Sequence, residues 1–186
     1  LIGGYMKKAF LNLVALTLVS FTAFGADVDL KKSEFKWEGS KVTGKHYGTV
    51  PLKSGSVSMK DGKITGGEFV ADLTAFTVTD LEGEWKDKFL GHMKSGDFFD
   101  VAKYPTSKLV IKSVKGNKVT ADLTVKDKTN EVTFDMKNKG NEYSGKLVFD
   151  RTKFGMIYGS GDFFKNLGDK MINNEVTVDF KFVVKK

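Results

Sequence analysis

The 186-residue sequence predicts an all-β fold in which eight antiparallel strands form a barrel. Apolar and polar residues alternate with a period of two over most of the chain after residue 34, as expected for strands with one buried face. The 20 glycines and only 2 prolines favour tight turns between short strands. Cysteine is absent, which excludes disulfides, a thiol nucleophile and a cysteine-based zinc site. This length fits one domain.

The first 25 residues have the pattern of an export signal. Two lysines precede an apolar run over residues 9–24, and Gly25 and Ala26 supply small residues for cleavage. The run is shorter than the roughly 20 residues that a membrane-spanning helix needs, although an uncleaved N-terminal anchor is the alternative. We therefore predict upstream residues plus a secretory signal peptide over residues 1–25, a single β-barrel domain over residues 26–186, and a periplasmic or secreted location.

Eight segments carry the strand pattern. The hairpin signal Asp61-Gly62 joins two long segments, and the last segment alternates most clearly, since Val176, Val178 and Phe180 share one face. Long strands joined by a tight turn favour a strongly coiled sheet, and hence a barrel over a sandwich. The interior of such a barrel is either filled by side chains or able to hold one small ligand. The predicted strands cover residues 34–41, 46–60, 63–78, 107–114, 118–126, 131–138, 142–151 and 174–185.

Two inserts interrupt the strands. Residues 84–93 repeat Trp85, Phe89 and Met93 at a spacing of four, which predicts a short amphipathic helix. Residues 154–174 are rich in glycine and predict a loop with one helical turn.

The pentapeptide SGDFF occurs in both inserts, at residues 95–99 and at residues 160–164. Five residues are too few to indicate an internal repeat. Both copies lie outside the strands, however, and we expect them to plug similar places in the fold.

The positive charge of the chain does not indicate a nucleic-acid partner. The formal net charge is +7, and it falls to +5 when the two lysines of the signal segment are removed. Arg151 is the only arginine, whereas proteins that read nucleic acids commonly cluster arginines on phosphates and base edges. The excess of lysine indicates a solvated surface.

The two histidines, His46 and His92, are the candidates for acid–base chemistry. A catalytic triad needs a histidine held by a carboxylate beside a nucleophile, and neither histidine follows a nucleophile motif. His92 borders the apolar face of the predicted helix, where it could bond to backbone, contact the head of a ligand or bind a metal. The spacing supplies no metal-ligand set, so we predict no metal site. Asp97 and Asp100 are expected to cap a turn or a helix start.

Arg151 is the sharper candidate for a binding role. The alternation along the preceding strand puts Arg151 on the inner face with Phe149. An inward guanidinium must find an acceptor, because an isolated buried charge is very costly. We expect it to pair with Asp97 or Asp100 and hold the insert to the barrel mouth, and it could also meet a carbonyl or hydroxyl of a ligand. Replacement of Arg151 by alanine is then expected to weaken ligand binding without unfolding the protein.

The sequence has 16 phenylalanines, a high number for one small domain. They either fill the barrel or line a cavity, and side-chain volume alone leaves both interpretations open. The small residues Ala121 and Gly145 fall on inferred inner faces and would leave room for a cavity. Inward positions are expected for Phe69, Phe76, Phe134, Phe149, Phe180 and Phe182.

Four segments carry a resemblance to a known family. They are KWEGSKVTGKHYGTVPLKSGSV (residues 36–57), GGEFVADL (66–73), GHMKSGDFFDVAKYPT (91–106) and DRTKFGM (150–156). Together they resemble the YceI-like family of exported, lipocalin-like proteins over nearly the whole mature chain. The third segment is the most specific of the four. The resemblance implies a lipocalin-like barrel of eight antiparallel strands with a short helix and an aromatic insert near one mouth.

The resemblance also implies a ligand. It indicates binding of a long isoprenoid chain, such as the tail of a quinone or polyprenyl compound, or a similar amphiphilic lipid, with no cofactor and no catalysis. Burial of such a chain is favourable by about 0.8 kcal/mol per CH₂, so an apolar tube needs few polar groups to bind it. The candidate ligand-binding residues are His46, Phe69, Phe76, Phe89, Leu90, His92, Phe98, Phe134, Phe149, Arg151, Phe154, Phe180 and Phe182.

Two other functions stay open at the level of sequence. One is a structural or stress-related envelope protein with a filled barrel, which predicts no cavity. The other is an enzyme that acts on a small hydrophobic substrate through His46 or His92. The sequence predicts no membrane span after signal cleavage and leaves the oligomeric state open between a monomer and a homodimer.

Overall fold

The computed structural model describes residues 24–185. This part of the chain contains eleven β-strands, one α-helix and three short 3₁₀ helices. The helix α1 covers Gly83–Lys94. The strands are β1 (Phe24–Asp27), β2 (Glu34–Lys41), β3 (Gly44–Thr49), β4 (Leu52–Lys60), β5 (Lys63–Asp72), β6 (Thr77–Val78), β7 (Thr106–Lys115), β8 (Lys118–Val125), β9 (Lys128–Lys139), β10 (Glu142–Asp150) and β11 (Ile172–Val183).

The eleven described strands form one curled antiparallel sheet, in the order β1-β4-β5-β7-β8-β9-β10-β11-β2-β3-β6. The first strand ties the two sides of this sheet together. It pairs with β4 through Ala26 and Val57, and Val28 directly after it forms a bridge with Val184. The Asp29 N–H then donates to the carbonyl of Val183 at 2.7 Å. One end of the curled sheet is closed in this way.

The predicted all-β barrel is confirmed, although the strand count differs. The eight neighbouring strands from β4 to β2 in the sheet order correspond to the eight predicted segments. Two of those segments are broken in the structure: residues 46–60 form β3 and β4, and residues 63–78 form β5 and β6. The short strand β1 was not predicted.

Both breaks have local causes. Pro51 cannot donate a ladder hydrogen bond, and it separates β3 from β4. After β5, the carboxylate of Asp72 accepts hydrogen bonds from the N–H of Thr74 at 2.9 Å and from its hydroxyl at 2.5 Å. A side chain that bonds to the backbone two residues ahead favours a turn over an extended strand.

The predicted helix is confirmed as α1, with a narrower apolar face than the spacing suggested. Trp85 is 72% exposed, whereas Phe89 and Met93 are half-buried against the core. The helix has no fully buried residue among its twelve. It therefore covers the barrel without being part of its core.

The predicted loop lies between β10 and β11 up to residue 171, with 3₁₀ turns at Arg151–Phe154 and Gly168–Lys170, whereas its last three predicted residues, 172–174, belong to β11. The predicted signal peptide lies outside the described residues, except for Phe24 and Gly25, which belong to β1.

The core lies inside the curl of the sheet, and a smaller cluster of Trp37, Phe76 and Val78 lies under α1. The prediction that Ala121 and Gly145 leave open space is wrong. The ring of Phe180 packs directly against Gly145, where a side chain would collide with it. Ala121 is fully buried and packed within the core cluster.

Candidate functional site

The sheet encloses a cavity of about 400 Å³. This volume lies within the usual range of small-molecule sites in proteins. Strand β11 lines it from Ile172 to Phe182, a stretch of roughly 30 Å at the rise of an extended strand. The cavity is therefore long as well as apolar, and the barrel is not filled by its phenylalanines.

The two ends of the cavity differ in exposure. At the end where β11 begins, the lining residues His46, His92 and Tyr158 are partly exposed. At the other end, Ile111 and Phe182 are buried. The cavity thus has a mouth at the start of β11 and a closed end near its finish.

Eleven of the thirteen candidate ligand-binding residues line the cavity. Their role in binding stays a prediction. They are both histidines, the arginine and phenylalanines of four strands, of the segment before β6, of α1 and of the segment after α1: His46, Phe69, Phe76, Phe89, His92, Phe98, Phe134, Phe149, Arg151, Phe180 and Phe182.

The remaining two candidates, Leu90 and Phe154, do not line the cavity. Phe154 is 1% exposed and packs edge-on against Phe149, with ring centres 5.6 Å apart. It supports the cavity wall from behind. Leu90 lies on the side of α1 that packs against the Trp37 cluster.

Arg151 is buried at the mouth, and no carboxylate among residues 24–185 forms an ion pair with it. It is 2% exposed, and its guanidinium donates to the carbonyls of Asn173 and Ile172, each at 3.0 Å, and to that of Met156. The expectation that it pairs with Asp97 or Asp100 is wrong, because Met156 of the loop before β11, together with Ile172 and Asn173 at the start of β11, places backbone carbonyls around the guanidinium instead. The side chain therefore holds both ends of that loop.

The electrostatics of Arg151 follow from this burial. Burial lowers the pKa of the guanidinium, and the negative charge of nearby Asp150 opposes that shift. The Asp150 carboxylate itself bonds to the N–H and hydroxyl of Thr152, at 2.8 Å and 2.6 Å. The guanidinium carbon also lies 5.9 Å from the centre of the Phe98 ring. Arg151 thus bonds to the loop before β11, contacts the aromatic insert through Phe98, and lines the cavity.

His92 projects from α1 into the mouth. Its Nε2 lies 3.0 Å from a carboxylate oxygen of Asp97, and its ring meets Phe98 and Tyr158 edge-on at 5.0 and 4.6 Å. A side-chain carboxylate, and not the backbone, is its hydrogen-bond partner. The pair is exposed to solvent, which limits its contribution to stability.

His46 also lines the mouth, and the half-buried carboxylate of Asp80 holds its ring. Its Nδ1 lies 2.7 Å from Oδ2 of Asp80, whose other oxygen accepts the N–H of Tyr47 at 3.0 Å. Burial disfavours the ionised form of Asp80, but the hydrogen bonds from Tyr47 and His46 outweigh it and lower the pKa of Asp80. The ring of His46 also contacts Phe89 of α1 at 4.9 Å.

Two lining residues, and the acid that holds His46, were not identified from the sequence. Trp37 stacks on Phe76 and Phe89, at 4.7 and 6.0 Å, and donates its indole N–H to the carbonyl of Thr77 at 2.9 Å. Period-two alternation in β2 would have placed Trp37 inward. Tyr158 comes from the irregular loop, where no periodicity exists. Asp80 is separated from His46 by 34 residues, so only the fold brings the two together.

The geometry bears on two alternatives to lipid binding, a metal site and an enzyme that acts through a histidine. Among residues 24–185, no three side chains of histidine, aspartate or glutamate lie close enough together to hold a metal ion. Both histidines have carboxylate partners, but the cavity wall around them is mostly apolar.

The comparisons with known proteins agree with the resemblance of the four segments. A family model described as the YceI-like domain matches residues 26–184. The chain belongs to the YceI-like family. Within the described part of this YceI-like chain, no helix has the length and apolar character needed to cross a membrane.

Curated relatives of this YceI-like chain match it over a shorter stretch. A UPF0312 protein of Staphylococcus aureus strain USA300 is 49% identical over 78 residues, which cover 36% of this chain and 46% of the relative. The corresponding protein of strain NCTC 8325 / PS 47 matches with the same values. The match therefore spans about half the length of these relatives.

Solved structures share the fold over most of the chain. BcnA of Burkholderia cenocepacia is 23% identical, with a TM-score of 0.64, and the match covers 86% of this chain and all of BcnA. A polyisoprenoid-binding domain from Saccharophagus degradans is 15% identical, with a TM-score of 0.57 over 88% of this chain and 99% of the domain. A YceI protein of Campylobacter jejuni has a TM-score of 0.52 at 14% identity, over 97% of this chain and 99% of that protein. At these identities the likeness shows the fold alone.

Proposed function

We propose that this protein binds and sequesters a long-chain isoprenoid lipid, such as a quinone or polyprenyl compound, inside its barrel without chemical change. The observation that carries the proposal is the cavity of about 400 Å³, which is apolar and follows β11 from Ile172 to Phe182. An extended hydrocarbon chain fits such a space better than a compact polar substrate does. The similarity in fold to a polyisoprenoid-binding domain supports the same ligand class.

The physical driving force is the hydrophobic effect. Each buried CH₂ contributes about 0.8 kcal/mol, so a few isoprene units supply strong binding without any charged contact. The polar groups at the mouth, His46, His92 and Arg151, would then meet the head of the lipid while the tail lies toward Phe182. A wall with few polar groups favours retention of a lipid over catalysis.

The proposed location is the periplasm or the outside of the cell. It is supported by the basic and apolar pattern of residues 1–25. A lipid with a long prenyl tail is insoluble in water, so its passage through an aqueous compartment requires a cover of the kind that this barrel provides.

A cavity-filling variant tests the proposal. Ala71 of β5 lines the cavity, whereas its neighbour Val70 does not. The Ala71→Trp variant should occupy the space of the ligand and reduce uptake of menaquinone-4 at least about tenfold, while Val70→Trp should stay within about twofold of the wild type. Uptake is measured by incubation with the dispersed quinone, gel filtration, and extraction of the protein fraction.

Equal uptake by Ala71→Trp and the wild type would show that the quinone binds elsewhere. Circular dichroism and thermal unfolding of both variants control for loss of the fold. No uptake by the wild-type protein of quinone or of any prenyl lipid would contradict the proposed function.

A further inference from the structure

The mouth of the cavity contains a histidine whose two ring nitrogens have different surroundings. Nδ1 of His46 lies 2.7 Å from the Asp80 carboxylate. Among the described residues, no hydrogen-bond partner meets Nε2 on the other side of the ring. His46 lines the cavity, so this second nitrogen is available to a bound molecule.

The space next to His46 is open. Gly39 of β2 lies directly opposite His46 of β3 in the sheet and also lines the cavity. A methyl group built at Gly39 would meet no atom within 4 Å. The missing side chain therefore leaves room beside the imidazole for a small polar group.

The partner of Nδ1 fixes which nitrogen carries the proton. A neutral imidazole has one N–H donor and one acceptor nitrogen, and an ionised carboxylate can only accept. Asp80 is held ionised by the N–H of Tyr47 and by His46, in agreement with its lowered pKa, in which these bonds outweigh the effect of burial. The neutral ring must then donate from Nδ1, which leaves Nε2 as an acceptor toward the cavity.

We infer that His46, positioned by Asp80, forms a head-group subsite that selects lipids whose polar end carries a hydroxyl donor. The inference rests on the proposed function and deepens it by naming the chemistry of the ligand head. A hydroxyl gives its proton to Nε2, whereas an ether or a quinone carbonyl has none to give and leaves Nε2 unpaired. A site that hydrogen-bonds a hydroxyl rejects the analogue that lacks it, because its own polar group then loses water without replacement.

A matched pair of lipids tests the subsite. Geranylgeraniol and its methyl ether have the same tail and differ only in the hydroxyl proton. At pH 8, the wild-type protein should bind the alcohol about tenfold more tightly than the ether, as expected for one hydrogen bond in an apolar site. The His46→Phe variant should lose this preference, while Tyr47→Phe should keep it, because Tyr47 is the exposed neighbour of His46 in β3 and its side chain does not line the cavity.

The Asp80→Asn variant tests the positioning role separately. The amide oxygen of asparagine would stay with the Tyr47 N–H, so its NH₂ group would face Nδ1 of His46. The proton of the ring then moves to Nε2, which becomes a donor. We expect Asp80→Asn to bind the ether more tightly than the wild type does and to reduce the preference for the alcohol to within about twofold.

The outcomes distinguish the hydroxyl subsite at His46 from the more general proposal that the barrel binds a lipid. Equal binding of alcohol and ether by the wild type overturns the hydroxyl subsite but leaves lipid binding intact. Binding of neither lipid, together with the absence of quinone uptake, overturns the proposed function as well. A preference that survives in His46→Phe or in Asp80→Asn assigns the selection to another group and contradicts the inference. Should His46→Phe fail to fold, Asp80→Asn, which keeps the ring, decides the test.

Discussion

The two copies of SGDFF have the same sequence and opposite surroundings. In the first copy Phe98 is 5% exposed, and it lines the cavity together with Phe99. In the second copy Phe163 and Phe164 are 55% and 44% exposed, and neither lines the cavity. The expectation that both copies plug similar places is therefore wrong.

The two copies nevertheless share two hydrogen bonds. The hydroxyl of the serine accepts the aspartate N–H at 3.4 Å in the first copy and at 3.3 Å in the second. The serine carbonyl accepts the N–H of the first phenylalanine at 3.2 and 3.1 Å. Five residues are enough to specify this turn, because all of its bonds lie within the pentapeptide.

Tertiary neighbours decide the burial of the rings. The first copy follows α1, so that His92 and Tyr158 pack on Phe98 while the Arg151 guanidinium faces its ring. The second copy lies in the loop between β10 and β11, and Arg151 holds the two ends of this loop together by hydrogen bonds to the carbonyls of Met156 and Ile172. A short motif therefore determines a local turn, whereas the elements packed around the motif determine whether its rings reach the cavity.

Replacement of Arg151 should change the free energy of unfolding most. Its side chain contacts Phe98 of the first copy and holds the loop that contains the second copy. Arg151→Ala leaves three backbone carbonyls without their donor, and we expect a loss of about 4 kcal/mol in the free energy of unfolding. Urea denaturation of the wild type and the variant measures this loss. A change below about 1 kcal/mol would mean that water replaces the guanidinium without cost. It would also agree with the expectation from sequence that replacement of Arg151 weakens ligand binding without unfolding the protein.

Next in size is the difference between the two first phenylalanines. Phe98→Ala should lower the free energy of unfolding by about 3 kcal/mol because it removes a buried ring. Phe163→Ala, its matched control, should change it by less than about 0.5 kcal/mol. Thermal and urea unfolding of the pair compare the two. Equal losses would show that the second copy is as deeply packed as the first.

The hydrogen bonds of the two serines predict a larger loss for the first. Ser160→Ala removes the bond from the Asp162 N–H and should cost about 1 kcal/mol. Ser95→Ala removes the matching bond from the Asp97 N–H and also the bond that the Ser95 hydroxyl donates to the His92 carbonyl at 2.7 Å, so it should cost about 2 kcal/mol. A loss for Ser160→Ala equal to or larger than that for Ser95→Ala, measured by urea denaturation, would contradict this expectation.

The smallest effects are expected at the aspartates of the two copies. Asp97 bonds to His92 at 3.0 Å and Asp162 to Asn174 at 2.6 Å, both at exposed positions. Replacement of either aspartate by asparagine should change the free energy of unfolding by about 0.5 kcal/mol or less. A clear loss for Asp97→Asn alone would give the pair with His92 a structural role at the mouth.

The sequence predicted those features that depend on local pattern. Period-two alternation identifies the strands, and the spacing of Phe89 and Met93 identifies α1. Alternation also placed Phe69, Phe134 and Phe180 toward the interior, where they line the cavity. The family resemblance identified the aromatic insert at the mouth.

The features that were missed depend on contacts between distant segments. The carbonyl partners of Arg151 lie on Met156, Ile172 and Asn173, and a backbone acceptor leaves no trace in residue types. The partner of His46 is Asp80, and β4, β5 and β6 lie between the two in the chain. Burial of Gly145 under Phe180 likewise depends on the pairing of β10 with β11. None of these relations has a period or a motif from which it could be inferred.

If the cavity of the barrel holds a lipid, that lipid should stay with the protein during purification. Solvent extraction of protein purified from the cells that make it, followed by mass spectrometry, is the decisive experiment. We predict that a long-chain prenyl lipid is extracted from the wild-type protein in a molar amount comparable with that of the protein, and that it is lost from the Ala71→Trp variant. Repeated wild-type preparations that contain no lipid, and that take up no added quinone, would contradict the claim.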